Sequence, residues 1–394
     1  MSIQLSDNFK INTYFWKIFA IWPGKLSNKF YKYFSFMYIS INLVIYNILL
    51  TINLIYTPKK IEMLIPEMIF FFTEVSVTVK VLMTIVNRKK IIVILDLMNC
   101  DEFKGEDFNT SYIIEKDISI YKMGWKINAT LSNFAYASLI FLPIIMSFIW
   151  NTKLELPTCN YYFLSDDIRD DYFIYWFIYQ SFGMYGHMMY NVNIDTFIAG
   201  LIFIAVSQMK VLNFKLLNLK VNANSGLDEK EQDRLQTLKL TKCLEHYNIL
   251  LRYCMSIQEI LDVIIFVQFA MASIIICVTI YGLLLLSTNK SLMFMVSYLL
   301  AMLCQIFIPS FLGTLLSFES ENLVFAGYNS EWIPRSEKFK KILKIFMERA
   351  KTPIVLTGLK LFPLSLGTFT SVMKTASSFL TLVRNVQDRQ DGKI

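Results

Sequence analysis

The 394-residue chain is short of charge: only 18% of its residues are Asp, Glu, Lys or Arg, against 55% hydrophobic. A soluble domain carries nearer ~25% charge. Glycine and proline are scarce as well, at 13 and 9, which excludes collagen-like and low-complexity chains. So much apolar material excludes intrinsic disorder. Six cysteines in this length make no disulfide framework. Two histidines, His187 and His246, fall in different helices, and with too few further ligands grouped beside either, no metal site is expected. There is no Gly-rich phosphate loop, no Gly-x-Ser-x-Gly turn and no carboxylate pair that evidently faces a pocket. An enzyme is therefore not expected, and no cofactor.

What is present is a set of long charge-free runs. A helix needs ~20 mostly apolar residues to cross the hydrocarbon core. Runs between Lys32 and Lys59, Lys126 and Lys153, Asp171 and Asp195, Asp262 and Lys290, and Lys290 and Glu319 all reach that length. Two further apolar segments carry charges: 64–86, with Glu67, Glu74 and Lys80, and 361–386, with Lys374 and Arg384. Together they predict an all-α polytopic membrane protein with seven crossings. The first apolar stretch is too short and too interrupted by Lys10 and Lys17 for a cleaved signal, so the first crossing is expected to act as the targeting signal.

Lysine and arginine collect on the cytoplasmic side of a membrane. Segments 1–32, 87–126, 207–262 and 319–351 hold 27 basic residues, and the alternate segments hold 8. The N-terminus is therefore expected inside and the C-terminus outside. That topology opposes G-protein-coupled receptors, as does the absence of any Asn-Pro dipeptide and of an Asp-Arg pair after the third crossing. The sequons at Asn109 and Asn128 fall inside and Asn289 abuts the membrane, so little glycan is expected. The net charge of +7 is accounted for by the cytoplasmic flanks, so nucleic acid need not be invoked. The chain divides into a cytoplasmic segment 1–32, crossings one to four over 33–206, a cytoplasmic helical hairpin 207–262, crossings five and six over 263–318, an anchor helix in 319–351, and a last crossing with a short tail over 352–394.

Three patterns carry chemistry. In the last crossing Thr370, Lys374, Ser377, Thr381, Arg384 and Asp388 recur at steps of four and three, which puts them on one helix face. Lipid cannot receive that face cheaply; it must meet protein or a water-filled pore. In the outer halves of the other crossings stand Phe70, Phe71, Phe72, Ser138, Phe141, Ile145, Tyr175, Tyr179, Phe182, Met189, Tyr281 and Tyr298. An apolar set with a few hydroxyls suits a small, mostly hydrophobic volatile ligand, or it is plain core. In the hairpin, Leu235, Leu238, Leu244, Tyr247, Leu251, Cys254, Ile257 and Leu261 form an amphipathic stripe, and 335–350 forms a basic amphipathic helix. Their apolar faces pack on each other or on another subunit.

The C-terminal third carries a resemblance. Glu319, Ser320 and Tyr328 ahead of Trp332, then Phe339-Lys-Lys with Met347 and Arg349-Ala350, then Pro353, the Pro363-Leu-Ser-Leu run, Phe369 and the terminal Ser-Phe-Leu-Thr-Leu resemble the signature of insect odorant receptors. The segment around His246 is similar to the family's pattern before the fifth crossing. The resemblance implies a ligand-tuning subunit of a heterotetrameric, odorant-gated, non-selective cation channel, assembled with a shared coreceptor in the plasma membrane of olfactory dendrites. It implies that the last crossing lines the pore, with Leu380, Thr381 and Arg384 at pore positions beside Ser377. It implies that the cytoplasmic helices, with His246, Trp332, Phe339 and Met347, anchor subunits to one another. The family often has Tyr where Ser378 stands, and Thr381 replaces a hydrophobic residue common in the coreceptor, which suits a ligand-specific subunit. A gustatory receptor would show Thr-Tyr and then Gln-Phe in the last crossing, where this chain reads SSFLTLVRN. A transporter would show paired broken helices.

Overall fold

The structure is a computed structural model describing residues 4–23, 29–151, 153–219, 228–285 and 289–390; of these, the side chains of 285, 289–291 and 383–390 lie outside the description. Helices make up nearly all of it. After a short 3-10 turn, Leu5–Phe9, come α1 (Lys10–Ile18), α2 (Lys29–Ile39) and α3 (Tyr46–Tyr56), the last two fused through a π-helical turn, Ser40–Ile45. Then follow α4 (Ile61–Val86), α5 (Arg88–Leu97), α6 (Phe108–Trp150), the short α7 (Asp166–Asp171), α8 (Phe173–Leu217) and α9 (Glu229–Leu285). The chain ends with α10 (Asn289–Tyr328), α11 (Glu337–Ala350), a two-stranded hairpin of β1 (Thr357–Gly358) and β2 (Phe362–Pro363), and α12 (Leu366–Gln390).

Among the described residues six helices are long and apolar enough to cross a membrane: Lys29–Tyr56, Ile61–Val86, Phe108–Trp150, Phe173–Leu217, Glu229–Leu284 and Leu292–Tyr328. The expected last crossing is also helical, as α12. At 1.5 Å per residue, the 57 residues of α9 and the 43 of α6 are far longer than a ~30 Å hydrocarbon core, so both continue well beyond it. α6 starts on a capping box, in which Asp107 and Thr110 satisfy each other's backbone N–H.

α8 is the central helix. In its most apolar stretch 78% of residues are buried, against 6% for α6 at the periphery. It packs on α10, α6, α9 and α4. Gly200 lets the N-terminal segment reach it: a Cβ there would lie 2.6 Å from rings of both Phe9 and Tyr121. Asn12 then ties α1 to α8, its Nδ2 donating to Asn193 O at 2.9 Å and Thr196 Oγ1 at 3.0 Å. Segment 1–32, read from sequence as a cytoplasmic flank, thus contributes a docked helix with Phe9, Asn12 and Trp16 in the core.

The amphipathic helices pack largely within the chain. α11 is capped by Ser336, whose hydroxyl accepts from Phe339 N, and buries Phe339, Leu343, Phe346 and Ala350 against α10 and α9. On the first half of α9 the buried stripe runs through Leu240, Cys243, Tyr247, Leu250, Cys254 and Ile257. Leu238, expected in that stripe, is 53% exposed instead, because the helix face is turned so that Leu240 enters the core.

Candidate functional site

Charged residues at membrane depth must find partners, and two charged residues of α4 find them on α8. Lys80 Nζ lies 2.6 Å from Asp195 Oδ1, and the lysine side chain is 1% exposed. One turn and a half earlier, the Glu74 carboxyl meets His187 Nδ1, while His187 Nε2 faces the carbonyl of Asn42. A carbonyl only accepts, so Nε2 carries a hydrogen, and Glu74 and Nδ1 share a second proton. Positions 74 and 80 pair in the same order with 187 and 195, so α4 and α8 run parallel, as the expected alternation of crossings requires. A third carboxyl, Glu67, accepts from Asn53 Nδ2 at 2.9 Å, and Asn53 Oδ1 accepts from Tyr162 N, in the segment between α6 and α7, at 2.8 Å.

The Lys80–Asp195 pair is the base of a wider network. Lys80 also donates to Asn191 Oδ1 at 2.7 Å. Gln305 of α10 donates to Asn191 Oδ1 at 3.1 Å and to Asp195 Oδ2 at 2.8 Å. Gln268 of α9 donates to the Gln305 carbonyl at 3.0 Å. Four helices are thereby tied at one level. Against this network lies a narrow cavity of about 10 Å³, room for about one water, bounded by α4, α8, α9 and α10. Its polar wall is Thr73, Ser76, Asn191, Gln268 and Gln305; its apolar wall is Met271, Ala272, Ile275 and Met302.

The expected ligand residues divide around this cavity. Tyr298 touches its rim, sharing a hydroxyl contact with Thr73. Phe72, Tyr281 and Tyr298 pack against the main core, Met189 is inside it, and Phe71 stacks edge-on against Phe72. Phe70 contacts Phe294 and Tyr298 at the same end of the bundle. The second group stands apart. Phe141, Ile145, Tyr175 and Phe182 are exposed on the protomer surface, Ser138 is half-buried on α6, and Tyr179 spends its hydroxyl on Ile41 O at 2.9 Å. Sequence reading missed Asn191, Gln268 and Gln305. The available signal was a lone side-chain amide inside a charge-free run, which needs a partner as a charge does.

The last helix has two unlike faces. Thr370, Lys374, Ser377 and Thr381 are exposed, as are Phe379 and Leu382, while Ala376 is buried and Phe369 and Val372 pack against the core where α12 meets α9 and α10; Leu380 is half-buried. The side chains of Arg384 and Asp388 lie outside the described residues.

Of the expected anchor residues, His246 and Phe339 are each 1% exposed within the protomer. Trp332 donates to Tyr328 O at 3.1 Å, and Met347 packs over Gly327. All four make their contacts within the chain. His246 stands in the charged half of α9, ahead of its apolar stretch. Gln208 donates to Phe103 O at 3.1 Å, so its Oε1 is the atom that accepts from His246 Nε2 at 3.0 Å. Nδ1 is buried with no partner among the described residues. A second proton has nowhere to go, and burial, with Lys215 adding to it, pushes the imidazole down to about 3.

A bundle of long apolar helices, with charges paired in its interior beside a narrow amphipathic cavity, defines a multi-pass membrane protein. Among the described residues no group of His, Cys, Asp or Glu could hold a metal ion. The family model described as 7tm Odorant receptor matches residues 60–377, and the chain belongs to that family. It is 30% identical to odorant receptor 98a of Drosophila melanogaster over 183 residues, 46% of this chain and 45% of that protein. It is 24% identical to odorant receptor 42a of the same fly over 207 residues, 52% of this chain and 50% of the relative. The chain thus spans about half the length of these relatives, whereas the match with odorant receptor 46a, isoform B, at 20% identity, covers 96% of the chain and 98% of the relative. Among solved structures, the olfactory receptor OR5 of Machilis hrabei in complex with eugenol superposes with a TM-score of 0.84 at 19% identity, over 97% of this chain and 98% of that one. Without the ligand the TM-score is 0.82.

Proposed function

We propose that this odorant receptor is the ligand-binding subunit of an odorant-gated, non-selective cation channel in the plasma membrane of olfactory dendrites. It crosses the membrane seven times, with the N-terminus inside and the C-terminus outside. It assembles with a coreceptor into a heterotetramer through its cytoplasmic anchor helices, in the domain order read from the sequence. A small volatile seats in the α4–α8–α9–α10 cavity. The cavity is narrow, so an entering ligand spreads its walls, and α12, packed on α9 and α10, moves with them. The ligand opens the pore only to the degree that it binds the spread arrangement better than the closed one.

The observation that carries this reading is the split of α12. Phe369, Val372 and Ala376 on its apolar side are spent within the chain, and its hydroxyl-and-lysine side is left on the protomer surface together with Phe379 and Leu382. Such a face at membrane depth asks for water, and a central pore shared by neighbouring subunits supplies it. Ser377, Leu380, Thr381 and Arg384 are the residues assigned to that pore. The pocket is assigned to the cavity walls together with the adjacent Phe71, Phe72, Met189, Tyr281 and Tyr298. The surface group Ser138, Phe141, Ile145, Tyr175, Tyr179 and Phe182 then lies on the approach from the outer leaflet.

The test is expression with and without a coreceptor, recording currents against a panel of volatiles. Odour-evoked current only with the coreceptor is expected. Replacing Thr381 by Val should change single-channel conductance or ion selectivity while leaving the rank order of odours unchanged. A shift in odour preference with conductance untouched removes α12 from the conduction path.

A further inference from the structure

The cavity's polar wall has unused hydrogen-bonding capacity, and the Lys80–Asp195 pair determines which kind. An ammonium only donates. Because Lys80 Nζ and Gln305 Nε2 both point hydrogens at Asn191 Oδ1, the amide oxygen is fixed on their side. Asn191 Nδ2 is turned away from them, and among the described residues it makes no hydrogen bond, although Asn191 lines the cavity. Gln268 donates through Nε2 to the Gln305 carbonyl, which fixes its Oε1 as an acceptor with no donor among the described residues. Ser76, 8% exposed and in the same wall, has a hydroxyl that bonds to nothing described. The cavity therefore offers a fixed amide donor, a fixed amide acceptor and one hydroxyl, facing the apolar wall.

We propose that the ligand class of this site is the neutral small alcohols, with the hydroxyl held between the Asn191 amide N–H and Gln268 Oε1 and the hydrocarbon tail on the methionine side. Lys80 is the positioning residue that sets the Asn191 amide. This rests on the reading that the cavity is the ligand seat. A hydroxyl both accepts and donates, so it satisfies both amides. An ether, ketone or ester only accepts, and leaves the Gln268 oxygen dry and unpaired. A carboxylate or an ammonium fares worse. Lys80 and Asp195 already neutralise each other, so a charged ligand enters a dry site with no counter-charge.

The test uses the full chain co-expressed with the coreceptor and compares alkanols, from butanol to octanol, with methyl ethers, alkanes, carboxylates and alkylamines of matched length. Thermal unfolding of the purified full chain in detergent, with the same compounds, reads binding without requiring a pore. The best alkanol should act at a concentration at least about ten-fold below its matched ether, in both readouts. Gln268→Met should bring that ratio to about one, and Ser76→Ala should lower alkanol potency several-fold. Should Gln268→Met fail to reach the surface, the wild-type ratio still decides. Alkanol and ether acting equally on the wild-type chain, or an acid or amine acting best, overturns the proposal and leaves the cavity as the seat. Absence of current and of thermal shift with every class removes the cavity reading itself, and this proposal with it.

Discussion

Gln258 holds Thr357 by both of its backbone groups. Its Oε1 accepts from Thr357 N at 2.8 Å, and its Nε2 donates to Thr357 O at 2.9 Å. The same Nε2 reaches Asp262 Oδ1 at 2.7 Å, and Asp262 O accepts from Leu359 N at 3.3 Å. One side chain of α9 thus clamps the hairpin that leads into α12. The turn of that hairpin needs holding, because Leu359 and Lys360 both sit at positive φ, 48° and 57°. Gln258→Leu leaves two backbone groups of Thr357 without partners. The expected loss is about 1–3 kcal/mol of stability, read as a lower unfolding temperature in detergent. Because the clamp stands next to α12, altered gating at unchanged alkanol affinity should accompany it. A variant that unfolds and gates like the wild type would show that the hairpin is held by its aromatic contacts, Phe362 on Phe266 and Phe269.

The Lys80–Asp195 pair gives a sharper stability test. Removing one partner of a buried ion pair costs about 3–5 kcal/mol, because the other charge is stranded, whereas replacing both can be nearly neutral. Lys80→Met alone should cut surface expression severely, with Asp195 left among α4, α8 and α10. The double variant Lys80→Met, Asp195→Leu should recover most of it. Surface biotinylation of the three proteins measures this, and equal loss in the single and the double variant contradicts the pairing.

Much of this architecture was legible in the sequence, for a physical reason. Charge-free runs longer than a bilayer is thick have few alternative structures, so the apolar helices fall where composition puts them. The face of α12 was legible because six polar residues at steps of four and three specify a side of a helix without reference to any neighbour. Pairings were not legible. Nothing local to Glu74 or Lys80 names His187 or Asp195, more than a hundred residues away. Asn191, Gln268 and Gln305 escaped notice because an uncharged amide does not interrupt a hydropathy pattern. The aromatic set was only half informative: Tyr298 and Tyr175 look alike in sequence, yet one closes a cavity rim and the other is 67% exposed. Leu238 shows the same limit on a smaller scale, since apolar spacing alone does not distinguish it from Leu240.

His246 predicts a pH dependence with a definite sign. The folded chain keeps the imidazole neutral down to about 3, while an unfolded histidine titrates near 6.5. Between those values the unfolded state binds more protons, so stability rises with pH. The contribution is fully present above about pH 6.5 and is lost progressively as the pH falls toward 3. His246→Gln, which can still donate to Gln208, should flatten the stability profile between pH 6 and about 4. Unfolding curves of both proteins at several pH values check this. A wild-type profile that rises on acidification contradicts the assignment of a neutral, Nε2-protonated ring.

Gly200 makes the last prediction, about the N-terminal segment. Phe9 and Tyr121 close on the space a Cβ would fill, and both rings have little freedom to move. Phe9 is 1% exposed and meets Phe197 edge-to-face, and Tyr121 donates to Asn12 Oδ1 at 3.1 Å. Gly200→Ala therefore pushes on both at once. Overpacking of this kind costs about 1–3 kcal/mol. The strain has one cheap release, which is to lift Leu5–Phe9 and α1 from α8, because that segment is held by side-chain contacts while α6 and α8 are long helices locked along their length. Limited proteolysis of the purified chain in detergent should then cut at Lys10 or Lys17 in Gly200→Ala and spare them in the wild type. Deletion of the Asn12 bonds by Asn12→Leu should produce the same cleavage through a different contact. If both variants resist the protease as the wild type does, the segment is retained by something other than its fit against Gly200 and Asn193.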